Sequence, residues 1–199
     1  MYTRTISDGF QEAARLLSEC GASSALLLER ISREVIDCFE RGNKLLLCGN
    51  GGSASQAQHI AAELVNKLAS YRAALPALSL TTDTSAITSI GNDLDFSEIF
   101  ARQVEAVGRQ GDLLWGLSTS GSSQNVIRAV TAAKKAGMKT VCFTGEAGSE
   151  LARIADISLT VSSKNTARIQ EVHLCCGHAV CECVEMHFLD REHPGNASA

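Results

Sequence analysis

KLLLCGNGGSASQAQHIAAEL, Lys44–Leu64, is the stretch whose reading decides the fold. Leu45 to Cys48 form a short apolar run, which reads as a buried strand. Gly49, Asn50, Gly51 and Gly52 follow as a turn that tolerates positive φ and lets a ligand approach the backbone. Ser53 is a favoured N-cap, and Ala54 to Leu68 read as a helix. Strand, glycine turn and helix N-terminus in succession bind anions, because free N–H groups and the helix dipole converge there. His59 and Glu63 lie two turns into that helix, four residues apart and so on one face. An anion site therefore precedes an imidazole–carboxylate pair suited to a metal or to acid–base work.

On the N-terminal side, residues 6 to 41 read as two helices broken near Gly21, with stripes from Leu16 and Leu17 and then from Leu26, Leu27, Ile31, Val35 and Phe39. They precede the first strand, so they are expected to pack outside the main unit or against another subunit. On the C-terminal side, strands are expected at 75–80, 113–117, 139–144 and 157–161. Between them, helices are expected at 86–90, 96–107, 124–136 and within 145–154, with Gly91-Asn92-Asp93 as a turn. A last helix runs from about 167 to 189, followed by a loose tail. Alternating strands and helices give a parallel sheet covered on both faces, a three-layer αβα sandwich, with ligands beyond the strand carboxyl ends.

The 199 residues suit one α/β domain with a substantial core. A net charge of −4 without a basic stripe argues against nucleic acid as the main partner. No apolar run approaches the roughly 20 residues that span a membrane, and the N-terminus lacks a signal-peptide core. Eight cysteines without a CxxC pair read as reduced, mostly buried thiols of a cytoplasmic protein.

A second loop, Ser118-Thr119-Ser120-Gly121-Ser122-Ser123, ends the third strand and opens a helix. Its hydroxyls and the helix N–H groups suit a phosphate monoester, although a serine-rich turn with a good N-cap has the same composition. The first loop fits the loose pattern Gly49-x-Gly51-x-x-Ala54, but no acid closes the next strand and no GK[ST] follows, which argues against a nucleotide cofactor. The last helix adds Gln170, Glu171, His173 and His178 as potential ligands. His173 also reads as a core histidine.

Taken together, CGNGGSASQAQHIAAEL, SIGNDLDFSEIFARQVEAVGRQGD, STSGSSQNVIRA and ARIQEVHLCCGH, in this order over nearly the whole chain, resemble the SIS (sugar isomerase) domain family. The resemblance implies a five-stranded parallel sheet of flavodoxin-like or Rossmann-like type over residues 44–190. The N-terminal helices would then lie at a homotetramer interface. It implies an aldose–ketose isomerase that converts sedoheptulose 7-phosphate to D-glycero-D-manno-heptose 7-phosphate through an enediolate, on the way to lipopolysaccharide heptose.

Carried over by position, the same resemblance makes Ser118, Thr119, Ser120 and Ser123 the phosphate loop, with Asn50, Gly51, Gly52 and Ser53 nearby. Asn92, Asp93, Glu63 and Gln170 would contact the sugar. His59, Glu63, Gln170 and His178 would hold one Zn²⁺ per subunit, and Glu63 and His178 would form the acid–base pair. Gln170 and His178 lie about 12 Å apart along a continuous helix. A shared metal therefore needs leaning side chains, a distorted helix or ligands from different subunits. The family also contains non-enzymatic proteins of the DnaA initiator-associating type. That branch lacks the carboxylate and the histidine at the positions of Glu63 and His178.

Overall fold

The computed structural model describes residues 2–145 and 148–192. Its sheet has the order β2-β1-β3-β4-β5, with β1 at Leu45–Gly49, β2 at Ala77–Ser79, β3 at Leu113–Ser118, β4 at Lys139–Thr144 and β5 at Ile157–Thr160. Every pairing is parallel. The helices are α1 (Tyr2–Glu40), α2 (Gly52–Val65), α3 (Thr84–Asp93), α4 (Ala101–Val107), α5 (Gln124–Lys135), α6 (Glu150–Ile154) and α7 (Thr166–Glu192).

The apolar run of β1 is continuous because both its faces are covered. Leu45 and Leu47 pack into a cluster with Ile31 and Val35 of α1, Ile60 of α2 and Val172 and Val180 of α7. Leu46 and Cys48 point the other way, to Val104 of α4, Val126 and Val130 of α5 and Leu151 of α6. The expected three-layer α/β fold is therefore the observed one. Chain order reverses between β1 and β3, so the crevice for a ligand opens at their carboxyl ends. Both loops singled out in the sequence sit there.

Five local readings are corrected. No break occurs near Gly21, and α1 is one helix of 39 residues. A mid-helix glycine costs about 1 kcal/mol. Burial of Leu16, Ile31 and Val35 against α7 and the sheet, at about 1.5–3 kcal/mol each, outweighs it. Rather than standing outside the unit, α1 completes one of its two cores. The strand expected at 75–80 is only Ala77–Ser79, since Pro76 has no N–H for a ladder.

The 91–93 turn is instead the last turn of α3, a helix that Asp83 starts by accepting from the Ala86 N–H at 2.9 Å. The 96–107 helix is split into a 3-10 turn, Phe96–Glu98, and α4, because Ile99 and Phe100 turn inward to be buried. The tail from 193 lies outside the described residues. Among the described residues no helix is long and apolar enough to cross a membrane.

Candidate active site

The glycine turn is shaped by what must approach it. Gly51, at φ 54°, is the N-cap of α2, so the cap and the helix start two residues earlier than the expected Ser53 and Ala54. At Gly52 a Cβ would stand 2.6 Å from the Gln170 side-chain amide, which lies across the start of α2. Gln56 holds the same segment by donating to the Gln170 carbonyl at 2.5 Å. Asn50 and Asn125 exchange amide hydrogen bonds, each of 2.8 Å, and so tie the glycine turn to the start of α5 across the switch point.

The serine loop closes on itself. Ser118 Oγ lies 2.9 Å from Ser123 Oγ and accepts from the Gly121 N–H at 3.2 Å. Ser120 Oγ accepts from the Ser122 N–H at 3.2 Å. Ser123 is the N-cap of α5, yet its side chain does not cap the helix and pairs with Ser118 instead. The Thr119 carbonyl accepts from the Gly145 N–H at 3.0 Å, which fixes the loop to the end of β4.

Helices α2 and α7 are packed side by side and run in step. Gln170 meets Gly52 and Gln56. Eight residues further along α7, His178 meets His59 and Glu63. Seven residues further still, Glu185 accepts from the backbone N–H groups of Leu68, Ala69 and Ser70, just past α2.

At the middle level His59 Nε2 is 2.9 Å from Glu63 Oε1 and 3.1 Å from His178 Nε2, and His178 Nε2 is 3.4 Å from the same carboxylate oxygen. Two nitrogens and one oxygen thus converge within 4.8 Å, a donor set that suits Zn²⁺. Glu63 is largely shielded from water, and its Oε2 is buried and accepts no N–H or O–H bond among the described residues. The buried Cys181 thiol is held protonated by burial and by the neighbouring Glu63 charge.

Three of the four positions expected to hold metal therefore meet within one chain. The fourth, Gln170, sits at the glycine turn, about 10 Å along α2 from His59. Of the expected sugar contacts, Asn92 and Asp93 bond to each other at 2.8 Å on the exposed end of α3. His173 is a core residue. Its Nε2–H donates to the Thr144 carbonyl at 3.2 Å, its ring packs on Phe143, and burial pulls its pKa down to about 4.

Asn125 and Glu185 were missed by sequence reasoning. Asn125 had a signal, a polar residue on the face that Val126, Ala129 and Val130 make apolar. Glu185 had none, because its donors come from a loop more than a hundred residues earlier.

The family model described as SIS domain matches residues 10–145. The chain is 50% identical over 189 residues to the phosphoheptose isomerase of Roseiflexus sp., covering 95% of this chain and 96% of that protein. It is 48% identical to the phosphoheptose isomerase of Desulfovibrio desulfuricans, covering 90% and 86%. Among solved structures it resembles phosphoheptose isomerase GmhA from Neisseria gonorrhoeae, with a TM-score of 0.88, 40% identity and coverage of 94% and 100%. With two loops at one switch point and an imidazole–carboxylate–imidazole cluster beside them, the chain belongs to the SIS domain family and, within it, to the phosphoheptose isomerases.

Proposed function

We propose that this aldose–ketose isomerase interconverts sedoheptulose 7-phosphate and D-glycero-D-manno-heptose 7-phosphate, with Glu63 as base and His178 as acid. The convergence of His59, Glu63 and His178 carries the reading. The serine loop holds the phosphate, with the glycine turn nearby. The trio lies along α2 from that turn, and a linear seven-carbon sugar with its phosphate at one end and its reacting carbons at the other suits the separation. Fixing the phosphate places the reacting carbons relative to the base.

Isomerisation moves one proton between C1 and C2. In this reading a Glu63 oxygen takes the proton from the carbon beside the carbonyl, while His178 Nε2–H donates to the carbonyl oxygen, giving an enediolate. A proton then passes from the hydroxyl oxygen on C1 to the oxygen on C2, and Glu63 returns its proton to C2, which leaves the aldehyde at C1 and restores both residues.

His59, Glu63 and His178 would hold Zn²⁺, which when bound polarises oxygen and stabilises developing negative charge. Glu63 Oε1 is the carboxylate oxygen that faces both imidazoles. His178 reaches its partners through Nε2, so a cation there and a transferable proton there exclude each other. Gln170 and the pair Asn92–Asp93 would orient the sugar. The exposed Tyr2, Ile6 and Phe10 of α1 support a homotetramer interface. The free cysteines support a cytoplasmic setting, where the product would feed lipopolysaccharide heptose synthesis.

The test is turnover of sedoheptulose 7-phosphate with chelator and with added Zn²⁺, in parallel with Glu63→Gln and His178→Ala. Each substitution is expected to lower kcat at least about 100-fold. The metal series reads whether cation or proton occupies His178. Full turnover by Glu63→Gln would refute the base. No turnover in any metal condition, by folded protein that binds sugar phosphate, would favour a binding protein.

A further inference from the structure

A cavity of about 720 Å³ opens beside the serine loop, on the side away from the glycine turn. It lies between the carboxyl end of β3, Gly145 after β4, and the connection from β5 to α7. Its polar walls are Thr119 and Ser120 on one side and Ser162, Ser163, Lys164 and Thr166 on the other. That size is ordinary for a small-molecule site. Among the described lining residues, Lys164 is the one charged side chain.

The serine loop offers a phosphate only neutral hydroxyls and N–H groups. A phosphate monoester carries about −1.5 to −2 charges at pH 7, and hydrogen bonds between ionised partners are roughly twice as strong as neutral ones. Four of the other five lysines are engaged, and the fifth, Lys135, lies in the last turn of α5. Lys44 pairs with Asp112, Lys134 with Asp156 and Lys139 with Glu34, while Lys67 lies over the Tyr71 ring. Lys164 makes no ion pair among the described residues.

The segment that carries Lys164 is ordered by its own bonds. Ser163 N–H donates to the Val161 carbonyl at 2.8 Å, Asn165 N–H to Ser163 Oγ at 3.1 Å, and Ala167 N–H to Asn165 Oδ1 at 3.2 Å. Lys164 thus faces the cavity from a fixed turn rather than from a free strand end.

We infer that Lys164 is the cation that neutralises the substrate's phosphate, across this cavity from Thr119 and Ser120. The inference rests on the reading of residues 118–123 as the phosphate loop, and it adds a binding residue from a separate segment. Lys164 acts on binding and not on proton transfer.

The test compares Lys164→Gln, Lys164→Arg and Ser120→Ala by steady-state kinetics on sedoheptulose 7-phosphate, with inorganic phosphate as competing inhibitor. Lys164→Gln is expected to raise KM and the inhibition constant of phosphate by about 10-fold each, with kcat within about twofold. Lys164→Arg should restore both to within about threefold. Because Lys164 is exposed, unfolding of the variants should match the wild type. Unchanged KM and phosphate inhibition in Lys164→Gln, with both raised in Ser120→Ala, would overturn the role of Lys164 alone. No change in any of the variants would overturn it together with the phosphate loop.

Discussion

Replacing Asn125 with alanine removes a side-chain link between the glycine turn and α5. The two amides exchange two bonds of 2.8 Å, and Asn125 is 3% exposed. A neutral hydrogen bond contributes about 1 kcal/mol net, and a buried partner left unpaired costs about 1–3 kcal/mol. Asn50 is only half-buried, so water recovers part of its loss, and the expected cost is about 2 kcal/mol. Urea unfolding followed by circular dichroism, at fixed protomer concentration, reads it as a lower midpoint with unchanged slope. Asn50→Ala alone and the double variant complete a cycle, with an expected coupling of about 1–2 kcal/mol. KM for the sugar phosphate should rise in both single variants, because the two loops lose their common brace. Additive effects within about 0.3 kcal/mol, or an unchanged KM, would refute the bracing argument.

Gly52→Ala places a methyl group 2.6 Å from the flexible end of Gln170. That end can swing aside, so stability should change by less than about 1 kcal/mol while KM rises; equal KM would show that Gln170 does not touch substrate. Glu185→Ala strands three backbone donors and should destabilise by about 2–4 kcal/mol in urea, with a loss below about 0.5 kcal/mol refuting the cap. His173 is neutral in the fold, with its pKa lowered from 6.5 to about 4. The unfolded chain therefore binds more protons between those values, and stability falls as pH drops from 6.5 towards 4, by about 3 kcal/mol at the limit. His173→Gln should flatten that part of the stability profile, and an unaltered pH dependence would refute the assignment.

The alternation of strands and helices, and the burial of the sheet on both faces, were legible in the pattern of residues. A four-residue apolar run followed by glycines forces strand and turn, and its lack of alternation forces burial on both faces. The same reading put both candidate loops at strand carboxyl ends, where they stand, although a serine-rich turn with a good N-cap has the same composition. It misread Gly21 and Gly91, because a local glycine penalty of about 1 kcal/mol is decided by packing that lies far away in sequence.

The site divides in the same way. His59 and Glu63 are neighbours by helical spacing alone, so the sequence by itself determined two of the cluster's three members. That His178 joins them, and that Gln170 sits a helix-length step away at the glycine turn, depends on how α7 lies against α2, a contact between residues more than a hundred positions apart. The Asn50–Asn125 exchange and the cavity facing Lys164 likewise exist only once the sheet order brings separate loops together. Periodicity encodes what lies within one element. Which faces of two elements meet is set by the packing of the whole core, and that only the tertiary structure decided.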